Sequence, residues 1–151
     1  MSDESGSPLM SKRFRGFFPV VVDVETGGFN HKKDALLEIG ALTLKIDAQG
    51  LMDIDDSFAC HVEPFPNANM EPKSLEVNGI DPFHPFRMAK PEDRAIRDFF
   101  KFVSTGMKKN GCTRAIMIGH NTMMDLNFIN AAADRNNISK NPFHPFSTFD
   151  T

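Results

Sequence analysis

Asp23 and Glu25 stand two residues apart in the run Pro19-Val20-Val21-Val22-Asp23-Val24-Glu25. Extended backbone sends alternate side chains to opposite faces, so both carboxylates share a face with Val21 while Val20, Val22 and Val24 line the other. Side by side on an apolar strand, each acid disfavours ionisation of its neighbour, and burial adds to that cost. A divalent cation relieves the conflict, because hard cations take carboxylate oxygens as ligands; a solvated strand end meets the same spacing without one. Asp125 is a third candidate. It follows His120-Asn121 at a strand-to-helix junction, where α/β proteins collect ligands, although an acid in a first helical turn also simply complements the helix dipole. His31, His61 and His84 have no acidic partner at useful spacing, which assigns them surface or packing roles. His120 is expected to orient backbone, and His144 to lie in a loop.

These acids need a buried strand, a return strand and a crossover to hold them. The almost continuous β-branched run from Pro19 to Glu25 reads as a central strand buried on both faces, ended by Thr26-Gly27-Gly28. Leu36 to Ile46 reads as a second strand. After the turn Asp47-Ala48-Gln49-Gly50, a third runs from about Ser57 to Glu63, with Phe58, Cys60 and Val62 alternating. Short connections favour antiparallel pairing of the three. A helical stretch near Glu71 to Val77 precedes a clearer helix that Pro91 starts and Gly111 stops. Ile96, Phe99, Phe100, Val103 and Met107 make one apolar stripe along it. Arg114 to Gly119 is a buried strand, followed by a helix from Thr122 to Asn136 with Leu126, Ile129 and Ala133 on one face. Three strands followed by alternating helix and strand predict an α/β domain with a mixed sheet. Phe-His-Pro-Phe occurs at 83–86 and again at 143–146 with different flanks, so it is no architectural repeat. Thr148 to Thr151 resembles the opening of a further element.

The composition narrows the function. With 17 Lys+Arg against 20 Asp+Glu and a net charge of -3, the 151 residues contain no basic nucleic-acid-binding tail. Hydrophobic residues at 40% and charged residues at 25% suit an ordinary folded domain. The chain has no apolar run long enough for a membrane span, and Met1 to Lys12 lacks the apolar region of a secretory signal. A cytoplasmic protein is expected, with a flexible leader over 1–12 and the domain over 13–151. Cys60 and Cys112 read as small core hydrophobes. Fifteen Phe with no Trp or Tyr predict apolar packing, with a few rings left to stack on bases.

Asp23-Val24-Glu25-Thr26-Gly27-Gly28, Leu37-Glu38-Ile39-Gly40-Ala41 and His120-Asn121 with Asp125 four residues on resemble the first two motifs of the DEDD family of 3′-to-5′ exonucleases. Arg13 to Val20, Asn78 to Pro82, Arg114 to Met117 and Asn141 to Phe146 narrow the resemblance to the ribonuclease T family, over the chain from about Arg13. The resemblance implies an RNase H-like fold, a homodimer, two Mg²⁺ ions that Mn²⁺ can replace, and trimming of the 3′ ends of tRNA and other stable RNAs, with single-stranded DNA as a further substrate. It makes Asp23, Glu25 and Asp125 catalytic and metal-holding, and gives Asp150 a capping or hydrogen-bonding role. The family's four substrate-binding phenylalanines and one glutamate correspond to Phe29, Lys73, Val77, Met124 and Phe146. Val77 and Met124 should weaken base stacking, and Lys73 reverses the sign of an acid and can seek a phosphate. The third family motif, a His followed five residues later by Asp on a C-terminal helix, is not in these residues. The expectation is therefore a domain incomplete at its C-terminus, without the C-terminal helices and inactive alone. The alternatives are a non-catalytic dimerising or RNA-binding remnant, a proofreading DNA exonuclease and an oligoribonuclease.

Overall fold

The computed structural model describes residues 10, 12 and 15–151. Along the chain come β1 (Phe17–Thr26), β2 (Leu36–Ile46), β3 (Met52–Val62), α1 (Pro72–Asn78), β4 (Ala89–Lys90), α2 (Glu92–Lys109), β5 (Arg114–Gly119), α3 (Thr122–Arg135) and β6 (Phe143–Asp150). The strands form one six-stranded sheet in the order β4-β3-β2-β1-β5-β6. β1 to β3 pair antiparallel, and β4, β5 and β6 join in parallel. This is the mixed α/β sheet expected, an RNase H-like arrangement with three leading antiparallel strands.

The β1 alternation decides where the core sits. Val20, Val22 and Val24 are buried with Ile39, Ala41 and Met117 against the apolar stripes of α2 and α3. On the opposite face Val21 and Glu25 are half-buried and Asp23 is exposed. β1 is thus buried on one face only, which corrects the expectation of a strand buried on both. Ile96, Phe99, Phe100 and Val103 of α2 are buried as their spacing predicts, and Leu126, Ile129 and Ala133 do the same for α3. Glu92 and Asp93 in the first turn of α2 and Lys108 and Lys109 in its last complement the helix dipole. Buried Glu92 is paired with Arg135 of α3 at 2.7 Å, which ties the two helices together. Cys60 and Cys112 are free and buried.

Three local expectations change. β3 starts at Met52 instead of near Ser57, because Ile46↔Met52, Lys45↔Asp53 and Leu44↔Ile54 continue the hairpin ladder with β2 through its acidic stretch. Phe143 to Asp150 is a full strand, so His144 lies in a strand and not in a loop; Pro145, which has no N–H to donate, falls in the register shift between the Ala115↔Phe143 and Met117↔Thr148 pairs with β5. The short β4 pairs with the end of β3 and has no signal in the sequence. Most of the leader expected over 1–12 lies outside the described residues; within it, Met10 is helical and buried in the core.

Candidate active site

At its C-terminal end, β1 presents exposed Asp23 and half-buried Glu25 on one face. Asp125 enters from the first turn of α3, is buried, and accepts a hydrogen bond from the Val24 N–H. Asp125 and Glu25 feel the neighbouring charges. Burial, and then the charges of Asp23 and Glu25, push Asp125 up to about 7 against the opposing Val24 hydrogen bond. Glu25 is raised as well, by burial first, then by Asp23 and Glu38. A hard cation relieves this kind of conflict, so the donor chemistry fits a divalent metal. Among the described residues no three His, Cys, Asp or Glu side chains are drawn into a closed ligand set.

The turn after β1 is built by close approach. A Cβ at Gly28 would overlap the Asp34 carboxylate, so only glycine allows the contact. Asp34 is buried and accepts from the Asn30 N–H at 2.9 Å and from Asn69 Nδ2 at 2.7 Å. Clamped in this way, the loop leaves Phe29 84% exposed. Asn78 Nδ2 donates to the Thr26 carbonyl at 3.0 Å and fastens the end of α1 beside β1. Between them opens a cleft of about 370 Å³ lined by Glu25, Phe29, Lys73, Val77 and Met124. Four of the five expected substrate residues therefore share one cleft with a site acid. Phe146 does not line it, and projects from β6 at 81% exposure.

Asp125 depends on how α3 begins. Asn121 takes a left-handed conformation at φ 55° and makes no side-chain cap. Asp150 of β6 caps the helix instead, accepting from the Thr122 N–H at 2.9 Å and the Thr122 hydroxyl at 2.6 Å. The hydroxyl bond first, then the N–H bond, hold Asp150 below the usual carboxylate range, which is the hydrogen-bonding role expected of it. His31 lies edge-on to Phe128, and His144 Nδ1 accepts from the Phe146 and Ser147 N–H groups. Sequence reasoning missed Asp34, Asn69 and Asn78. The paired Gly27-Gly28, which signals a close backbone approach, and Asn78-Gly79, which signals a helix end, were the cues available.

Residues 20–150 match the RNase T exonuclease family. Ribonuclease T of Photorhabdus laumondii is 52% identical over 151 residues, covering all of this chain and 70% of that protein. Ribonuclease T of Escherichia coli K12 is 54% identical with the same coverage. Among solved structures, E. coli exonuclease I in complex with a dT13 oligonucleotide superposes with a TM-score of 0.64 at 13% identity, over 89% of this chain. The chain spans only 27% of exonuclease I.

Proposed function

The chain belongs to the RNase T family of exonucleases, and from that premise we propose that its cleft receives the 3′ end of a single-stranded RNA for metal-dependent hydrolysis. The observation that supports the reading is the electrostatic coupling of Asp125 to Asp23 and Glu25, together with Glu25 lining the cleft that holds Phe29, Val77 and Met124. The three carboxylates are the residues to hold Mg²⁺ or Mn²⁺, and such an ion supplies positive charge for the phosphodiester and a lowered pKa for the attacking water. The Val24 N–H keeps the Asp125 carboxylate aimed at the site. Phe29 offers a ring face to a terminal base, while Val77 and Met124 give it apolar walls. The Lys73 ammonium is available to a backbone phosphate. The resemblance of the motifs to the family extends the proposal to tRNA and stable RNA precursors as substrates, to a homodimer and to the cytoplasm.

The test uses binding, so it does not depend on turnover. In Mn²⁺ the chain should bind a linear single-stranded RNA well and a circular RNA of the same sequence poorly, because the cleft takes an end. Single-stranded DNA is the competitor. Asp23→Asn should weaken Mn²⁺ binding in a relaxation titration. Equal affinity for linear and circular RNA, or Mn²⁺ binding unchanged by the substitution, would overturn the reading.

A further inference from the structure

The first Phe-His-Pro-Phe sequence does not enter the cleft. It lies in the segment from Gly79 to Met88, which follows α1 directly, and it exposes Phe83 at 74%, Phe86 at 82% and Met88 at 85%. Exposed apolar side chains gathered in one loop mark an interaction site more often than isolated ones do. The loop is anchored. Arg87 donates through Nη2 to the carbonyls of Leu37 and Val62 and through Nη1 to that of Pro82, while Phe83 N–H donates to Asp81 Oδ1 at 3.1 Å. His84 Nδ1 accepts the Phe86 N–H at 3.1 Å, the same local bond that His144 makes to Phe146 at 3.2 Å. Both copies of the motif therefore share this local bond, one in a loop and one in a strand, and both leave the second Phe exposed.

Beside Phe86 lies a cavity of about 330 Å³ lined by His61, Ile80, Asp81, His84, Phe86 and Arg87, within the size range of small-molecule sites. His61 Nδ1 and Arg87 Nε are buried side-chain atoms without a hydrogen-bond partner among the described residues. Unmet buried donors and acceptors carry a cost that a polar ligand edge removes. Ring faces next to unspent hydrogen-bonding atoms match a nucleobase, which has a stacking face and a polar edge. The position fits as well. Arg87 binds the loop to Leu37 and Val62, at the sheet end where β1 also finishes, and α1, which walls the cleft, runs straight into it.

We propose that this depression is a second nucleotide subsite, taking one base of a single strand whose 3′ end lies in the cleft. The inference rests on the reading of the cleft as a 3′-end site. Recognition uses the base: Phe86 and His84 stack on it while His61 and Arg87 meet its edge, and the Asp81 carboxylate in the wall disfavours a phosphate there. A second copy of the chain is the competing occupant, and the test separates the two.

Binding of a trinucleotide and of a single strand of about fifteen nucleotides is measured at fixed salt, with the cation that supports binding. Phe83→Ala/Phe86→Ala should leave the trinucleotide unaffected and weaken the longer strand by roughly 5- to 150-fold, the equivalent of about 1–3 kcal/mol for one stacked base. Phe86→Trp should retain wild-type affinity, and the ratio between long and short strands should change little with salt. Both Phe rings are exposed, so the double variant should fold. Unchanged binding of the longer strand, an equal loss on both strands, or a change of oligomeric state in sedimentation would overturn the subsite. If the wild-type chain binds neither strand, the 3′-end reading itself falls; if it binds both and the variant matches it, only the subsite does.

Discussion

Asp125 links the site's electrostatics to stability. Folded, it keeps its proton up to about pH 7; unfolded, it titrates near the ordinary value of 3.8. Between these values the folded chain binds more protons than the unfolded one, so the stability of the metal-free protein should fall as pH rises through that window and level off above it. Asp125→Asn should flatten this slope in thermal melts with chelator present. Parallel slopes for the two proteins would refute the assignment. Proton and cation compete for the same carboxylate, so Mn²⁺ affinity should also drop as pH is lowered below about 7. At the other wall of the cleft, Val77→Phe with Met124→Phe should tighten binding of a trinucleotide by about 1–3 kcal/mol for each ring that stacks. Unchanged affinity would mean that these side chains do not touch the base.

The elements are held by contacts that cross between them. Gly106 sits inside α2, where glycine lowers helix stability by about 1 kcal/mol relative to alanine. The reason is Phe18 of β1: a Cβ at Gly106 would come 2.6 Å from its ring. Gly106→Ala should therefore destabilise by about 1–3 kcal/mol through overpacking, although the substitution favours the helix locally. Urea unfolding measures the outcome, and a net gain in stability would show that the Phe18 ring can move aside. The α3 N-terminus makes the same point for function, since the strand that caps it through Asp150 also sets the start of the helix bearing Asp125.

At the scale of the whole molecule, α2 and α3 cover one sheet face. On the other face Val21, Leu42, Ile116 and Ile118 are half-buried and Phe149 is 57% exposed. The pairs Leu42–Val21, Val21–Ile118 and Ile118–Phe149 make these a continuous apolar row across four strands. Apolar surface of that extent favours association, so residues 1–151 should self-associate with rising concentration in sedimentation, and Phe149→Ser should reduce it. The same chain should show no measurable exonuclease activity on a 5′-labelled RNA with Mg²⁺. Among the described residues no His stands with the three site acids as a positioned base, an assistance typically worth about 10²–10⁴-fold. Asp23→Asn serves as the control. Shortening by the chain that the control lacks would refute this expectation.

The sequence by itself determined what depends on local period. The β1 alternation that separates Asp23 and Glu25 from Val22 and Val24, the span of β2 and the α2 stripe from Ile96 to Val103 all follow from spacing along a few residues. Motif resemblance named Asp23, Glu25 and Asp125, whose charges the structure couples, and Phe29, Lys73, Val77 and Met124, which it gathers in one cleft. Tertiary structure alone decided the rest. The Asp34–Asn69 bond joins residues 35 apart, the Thr122–Asp150 cap 28 apart and the Asn78–Thr26 tie 52 apart. No window of sequence contains both partners of such a contact. The acidic start of β3 is the same case, since Asp53, Asp55 and Asp56 disfavour a strand locally and adopt one because β2 offers a continuing ladder. Propensity acts between neighbours in the chain, whereas burial and pairing act between neighbours in space, and where the two disagreed in this protein the spatial contacts won.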